Sequence, residues 1–150
     1  MIDHRKKPMP EEVYKAIQTP LGVLHGRDAI SIDSLHYAPQ DGGALHIVGQ
    51  INGVQASQNP QGLRQVVFDL YFDEVQVFNV MQVDTYGYGG GSVSSFDQVF
   101  HSRWRWQLIQ RQRGTVTGQH THYHLRTYDD VLDIIALSFT MTLRDPNNSA

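Results

Sequence analysis

The chain has no cysteine. This excludes a thiol nucleophile, a disulfide framework and a thiolate metal site. Lysine is nearly missing too, since Lys6, Lys7 and Lys15 are the only three. The body of the chain therefore has no lysine for a Schiff base or for gripping a phosphate. No apolar run approaches the ~18 residues of a membrane-spanning helix. Arg5, Lys6 and Lys7 are followed by no apolar stretch, so the N-terminus does not read as a signal peptide. Charged residues make up 18% and the formal net charge is −3. That balance argues against a nucleic-acid partner unless a basic groove is local.

At 150 residues the chain reads as one domain. It is long enough to bury about two-thirds of its unfolded surface without a metal or disulfide. Residues 1–9 read as a loose leader and 145–150 as a frayed tail. Pro10-Glu11-Glu12 followed by Val13, Tyr14 and Ile17 predicts a short helix, ended by Thr19-Pro20. After that the dominant period is two, the mark of half-buried strands. Residues 29–37 and 44–52 flank the turn Pro39-Gln40-Asp41-Gly42-Gly43 and predict a hairpin. Residues 64–72 and 75–81 predict two more strands, 120–127 another, and 131–143 one long last strand. Residues 85–95 ("TYGYGGGSVSS") read as a flexible loop. Phe96, Val99, Phe100, Trp104 and Leu108 recur at steps of three and four and predict a helix over 95–109, with Ser95 and Gln98 spaced as a capping box. The total is a mainly β chain: an antiparallel β-sandwich of about six strands with one or two short helices, or alternatively a small β-barrel.

The most chemically loaded stretch is "QHTHYHLRTY", residues 119–128. On a strand, Tyr123 and Leu125 share one face while His120, His122, His124 and Arg126 share the other. The Tyr/Leu face suits the core, which sends the histidines toward solvent or a groove. His120 and His124 start roughly 13 Å apart, too far to ligate one ion together easily. An adjacent pair, His120/His122 or His122/His124, could chelate a divalent transition metal, with a further ligand from His101, Asp129 or His46. Arg126 on the same face opposes a cation. The plainer reading is a polar strand face.

Other motifs are less specific. Gly87 to Ser92 lacks the lysine and the βαβ setting of a phosphate loop, but Tyr86 and Tyr88 beside it suit a partner contact. Arg103-Trp104-Arg105-Trp106 interleaves cations with aromatics, as base-stacking surfaces do. Asp69, Asp73, Glu74 and Asp84 lie along the third and fourth strands, and Asp129, Asp130 and Asp133 gather near the last bend. No Gly-X-Ser-X-Gly elbow is present.

Residues 122–136 ("HYHLRTYDDVLDIIA"), with "FDEV" at 72–75 and "SSFDQVFHSRW" at 94–104, resemble small uncharacterised bacterial β-sandwich proteins that end in an "HYxLxTYDD" strand pair. Some of these look like immunity proteins encoded beside polymorphic toxins. The resemblance spans residues 28–143 and implies a non-catalytic, cytoplasmic protein-binding domain that neutralises a toxin and needs no cofactor. Asp73, Glu74, Asp84, Tyr86 and Tyr88 are then the candidate contacts, complementing a basic partner. The rival is a metal-dependent, cupin-like β-barrel enzyme built on His120, His122 and His124. An exposed strand edge or the Arg/Trp stretch could also support a homo-oligomer.

Overall fold

The computed structural model describes residues 10–86, 91–111 and 114–145. Among them, nine strands form two antiparallel sheets that stack as a sandwich. One sheet holds β1 (Val13–Ala16), β5 (Val77–Gln82), β6 (Phe96–Phe100), β7 (Thr121–Arg126) and β8 (Asp130–Ala136) in the order β1-β6-β7-β8-β5. The other holds β2 (Ile30–Ala38), β3 (Ala44–Asn52), β4 (Gln65–Asp73) and β9 (Ser138–Leu143) in the order β2-β3-β4-β9. Two short helices, α1 (Val83–Tyr86) and α2 (Arg103–Gln110), lie outside the sheets. Each sheet ends in free edge strands, so the fold is an open sandwich and not a closed barrel.

The core follows from strand alternation. β3 and β4 point Leu45, Ile47, Ile51, Val66, Phe68, Leu70 and Phe72 inward, all buried. Phe96, Tyr123, Leu125, Leu132 and Ile134 face them from the other sheet. Four rings lock the sheets together at the centre. Phe72 lies 5.3 Å from Tyr123 and Phe139 lies 5.1 Å from Phe96, centroid to centroid. Aromatic pairs at such spacing add about 0.5–1.5 kcal/mol each beyond the area they bury. The β2–β3 hairpin turns where expected, on Pro39–Asp41 with Gly42 and Gly43 at positive φ.

Several elements differ from the sequence reading. Where a short helix is expected between Pro10 and Thr19, the chain forms the edge strand β1, paired with β6 from Val13↔Phe100 to Ala16↔Asp97. A helix that short is marginal alone, and the extended form gains a ladder of hydrogen bonds. The expected helix over 95–109 is strand β6 followed by α2, and the cap is Ser102, whose hydroxyl accepts from the Arg105 N–H at 3.1 Å. β6 is covered on both faces, with Phe96, Asp97 and Val99 all buried. Two-sided burial erases the period of two that would have marked it. The single strand expected over 131–143 breaks at Leu137, where the chain passes from one sheet to the other. Residues 1–9, 87–90 and 146–150 lie outside the described residues, so the expected leader, most of the glycine run and most of the tail do too.

The β2 edge is irregular. Its pairing with β3 shifts between Ile32 and Ser34, opposite Gly49. A Cβ at Gly49 would sit 2.1 Å from the Ser31 carbonyl oxygen and 2.9 Å from the Phe68 ring. Gly49→Ala is expected to destabilise the protein by about 1–3 kcal/mol, as overpacking does. Chemical denaturation with unchanged m-value checks it.

Candidate functional site

The histidine strand is not a solvated face. Tyr123 and Leu125 point into the core as expected, but the opposite face of β7 is covered too. His120 is 7% exposed, His122 5% and His124 0%. α2 packs over them: Trp104 meets His122 edge-on at 5.3 Å between ring centroids. Tyr14 on β1 meets His124 the same way at 5.3 Å. Cross-strand register then sets a polar row across the outer face, running Asp97–His124–Asp133–Asn79.

Asp133 is the hub of that row. Its Oδ1 lies 2.7 Å from His122 Nε2 and 2.8 Å from His124 Nδ1. Burial pushes the Asp133 carboxyl up, and the two imidazole hydrogen bonds outweigh it, leaving the group well below the usual carboxylate range. His122 Nδ1 lies 2.7 Å from Ser102 Oγ. One arrangement satisfies Ser102 and both nitrogens of His122. The Arg105 N–H donates to Ser102 Oγ, Ser102 O–H donates to His122 Nδ1, and His122 Nε2–H donates to Asp133. Asp97 is fully buried and accepts from the Val93 N–H at 2.9 Å, the Ser94 N–H at 3.3 Å and the Ser94 hydroxyl.

Ser102, His122 and Asp133 have the residue types of a hydrolase triad. Two features separate them from one. The serine sits on Nδ1 and the carboxylate on Nε2, the reverse of the usual relay. Ser102 is also only 2% exposed and is committed to capping α2.

His120 stands apart from the pair. Its Nδ1 accepts from the Thr117 N–H at 3.0 Å and closes a turn. Its buried Nε2 has no hydrogen-bond partner among the described residues. His101 and Asp129 are exposed, and His46 is on the other sheet, 2.8 Å from Asp69. Among the described residues, no group of three or more donor side chains is arranged to hold a metal ion. Arg105 of the Arg/Trp stretch braces the turn before β7, donating to the His120 and Gly118 carbonyls.

The candidate partner contacts are split. Asp73 and Glu74 are exposed at one end of β5, and Asp84 in α1 is exposed at the other. Six extended residues separate those ends by roughly 20 Å. Tyr86 closes α1, and Tyr88 lies outside the described residues. Asp84 instead joins Asp129 and Asp130 around a cavity of about 350 Å³, shared with Arg27, Gln82 and Val83. Arg27 also lines a neighbouring cavity of about 240 Å³ with His25, Ser92–Ser95 and Arg126. Both cavities open where loops meet at one end of the sandwich.

Sequence reasoning passed over Asp97, Ser102 and Arg27, and took Asp133 for part of a bend. An acid inside "VLDIIA" or "FDQVF" is the available signal, because a carboxylate in an apolar strand survives burial only with partners. Nothing in the sequence marks Arg27.

The outer face of the four-stranded sheet is more open. His46 stacks on Tyr71 with centroids 4.0 Å apart, and Arg144 bonds both Asp69 oxygens at 2.8 and 3.0 Å. The Arg144 guanidinium, with His46 beside it, holds the Asp69 carboxyl down to about 2 against the opposing effect of burial. No helix among the described residues is long and apolar enough to cross a membrane. No protein-family model, curated protein or solved structure matches the chain.

Two outcomes follow for stability. Asp133→Asn is expected to cost about 1.5–3 kcal/mol at pH 7, the range for hydrogen bonds to a charged group. Both native carboxyls titrate below their unfolded values. Their contribution is therefore fully present above about pH 4 and is lost as pH falls through the native values. Denaturation of wild type and Asp133→Asn from pH 7 downward should show the gap between them narrowing in acid. A gap independent of pH would remove Asp133 as the hub.

Proposed function

We propose that this is a non-catalytic protein-binding domain, in the manner of a cytoplasmic bacterial immunity protein that neutralises a toxin. The observation that carries the reading is the contrast between the two polar regions. The buried imidazoles His122 and His124 are both bonded to Asp133, with Trp104 of α2 against one ring and Tyr14 of β1 against the other. An accessible acidic group lies at one end of the sandwich, where Asp84 in α1, Asp129, and Asp130 at the start of β8 surround an open cavity. Loops on a rigid sandwich are a common place for recognition. Three carboxylates there complement a basic partner surface and speed encounter with it.

The contact assigned to this reading is Asp84, Asp129 and Asp130. Asp73 and Glu74 join it only if the partner lies along β5. The test is calorimetric titration with the proteins encoded by the neighbouring genes, at two salt concentrations. Binding is expected to weaken with salt and to fall at least tenfold in an Asp84→Asn, Asp129→Asn, Asp130→Asn triple variant. That loss is about 1.4 kcal/mol or more. Binding indifferent to all three substitutions, or no binding, sinks the assignment.

A second reading, the metal-dependent enzyme, has one observation in its favour. His122, His124 and Asp133 are residue types that open-site metals use, and they lie side by side, although both imidazoles hydrogen-bond one carboxylate oxygen and the three groups are not spread about an ion. Calorimetry of the tag-free chain with zinc, nickel and manganese separates the two. One ion bound per chain and lost in His122→Ala supports the metal site. Weak uptake that the substitution leaves unchanged removes it.

A further inference from the structure

The cavity of about 240 Å³ beside Arg27 differs in character from the rest of the surface. The chain is acidic overall, yet this cavity is lined by two arginines and a histidine and by no carboxylate. Arg126 points from the end of β7 on the polar face, half-buried. Among the described residues its guanidinium has no ion pair and no side-chain hydrogen bond. A partly buried, uncompensated charge is unfavourable and asks for a counter-ion. Asp97, on the neighbouring strand, is committed to residues 93 and 94, and Asp28, close in sequence to Arg27, accepts from Asn52; Asp84, Asp129 and Asp130 share the adjoining cavity with Arg27 but do not line this one.

The walls are held in place from behind. The Ser95 N–H donates to the Leu24 carbonyl at 2.8 Å, the Ser95 hydroxyl to the Gly26 carbonyl at 3.0 Å, and the Arg126 N–H to the Ser95 carbonyl at 2.8 Å. Arg27 lies over the Tyr128 ring, 4.9 Å from its centroid, and its Nε reaches the Tyr128 carbonyl. That contact leaves its terminal N–H groups without a partner among the described residues. Two guanidinium forks on one cavity suit bidentate recognition of an oxyanion. Two positive charges with no lining carboxylate match a dianion better than a monoanion. The volume falls below the roughly 300–1,000 Å³ of clefts that enclose a drug-sized ligand, so the cavity takes a small anion or an anionic group at the tip of something larger.

We propose that Arg27 and Arg126, with His25 at the rim, form a binding site for a phosphate-type dianion. The inference does not depend on a protein partner, and its test uses none. Inorganic phosphate is titrated at constant ionic strength into isotope-labelled full chain, with acetate as the monoanion arm and chloride as the screening control. Saturable amide shifts confined to residues 25–27, 92–95 and 126, with a Kd of about 1 mM or tighter, are the expected result. Arg126→Gln and Arg27→Gln should each weaken binding about tenfold or more, as loss of a charge-assisted fork implies. Arg126→Gln should leave the melting temperature unchanged or higher without phosphate, because it removes an uncompensated charge. A purely structural arginine would lower it. Non-saturating shifts, shifts that acetate or chloride reproduce, or affinity unchanged in both variants would overturn the proposal.

Discussion

Burial of β7 on both faces is the constraint on which the arrangement depends. One face supplies Tyr123 and Leu125 to the aromatic and aliphatic core. The other must bury two imidazoles, so it needs an acceptor for each. A single carboxylate provides both, from the adjacent strand β8 and in direct register with His124. That choice fixes the pairing of β7 with β8, because a one-residue slip would turn Asp133 into the core and face the imidazoles with Leu132 and Ile134. It also fixes where α2 lies, since Ser102 must cap the helix and meet His122 at once. The polar network thus acts on specificity of packing as much as on net stability.

The two halves of the molecule handle charge differently. The five-stranded sheet buries His122, His124 and Asp97, with Trp104 and Tyr14 packed against the two imidazoles. The four-stranded sheet keeps the Asp69–Arg144 pair and the stacked His46 and Tyr71 nearer to water, where screening limits their worth. At the loop end, Arg27 divides an acidic cavity from a basic one. A boundary between opposite charges gives a surface direction, so it favours one orientation of whatever docks there.

How much of this was legible in the sequence depended on whether the signal was local. The β2–β3 hairpin was readable because Pro39 to Gly43 carries its own turn chemistry. The inward set of β7 was readable because Tyr123 and Leu125 alternate with polar residues. The outward set was misjudged, since its cover comes from Ser102 and Trp104 some twenty residues away in sequence. β6 was hidden because both its faces are buried, and β1 because its partner strand, not its own propensity, makes it extended. The corner at Leu137 has no glycine or proline to announce it. Asp133 carried a readable signal in its apolar neighbours, whereas Arg27 and Arg126 become a pair only through the fold.

The register shift in β2 has a consequence for self-association. A sandwich with open edges offers unpaired N–H and carbonyl groups as templates for a foreign strand. β2 answers with a bulge that twists its edge and places the charge of Asp33 within it, beside Gln50 at 3.4 Å. At the far side β1 is only four residues long, too short to seed an extended ladder. The irregularity opposite Gly49 also interrupts the β2 edge against runaway strand-to-strand growth between chains.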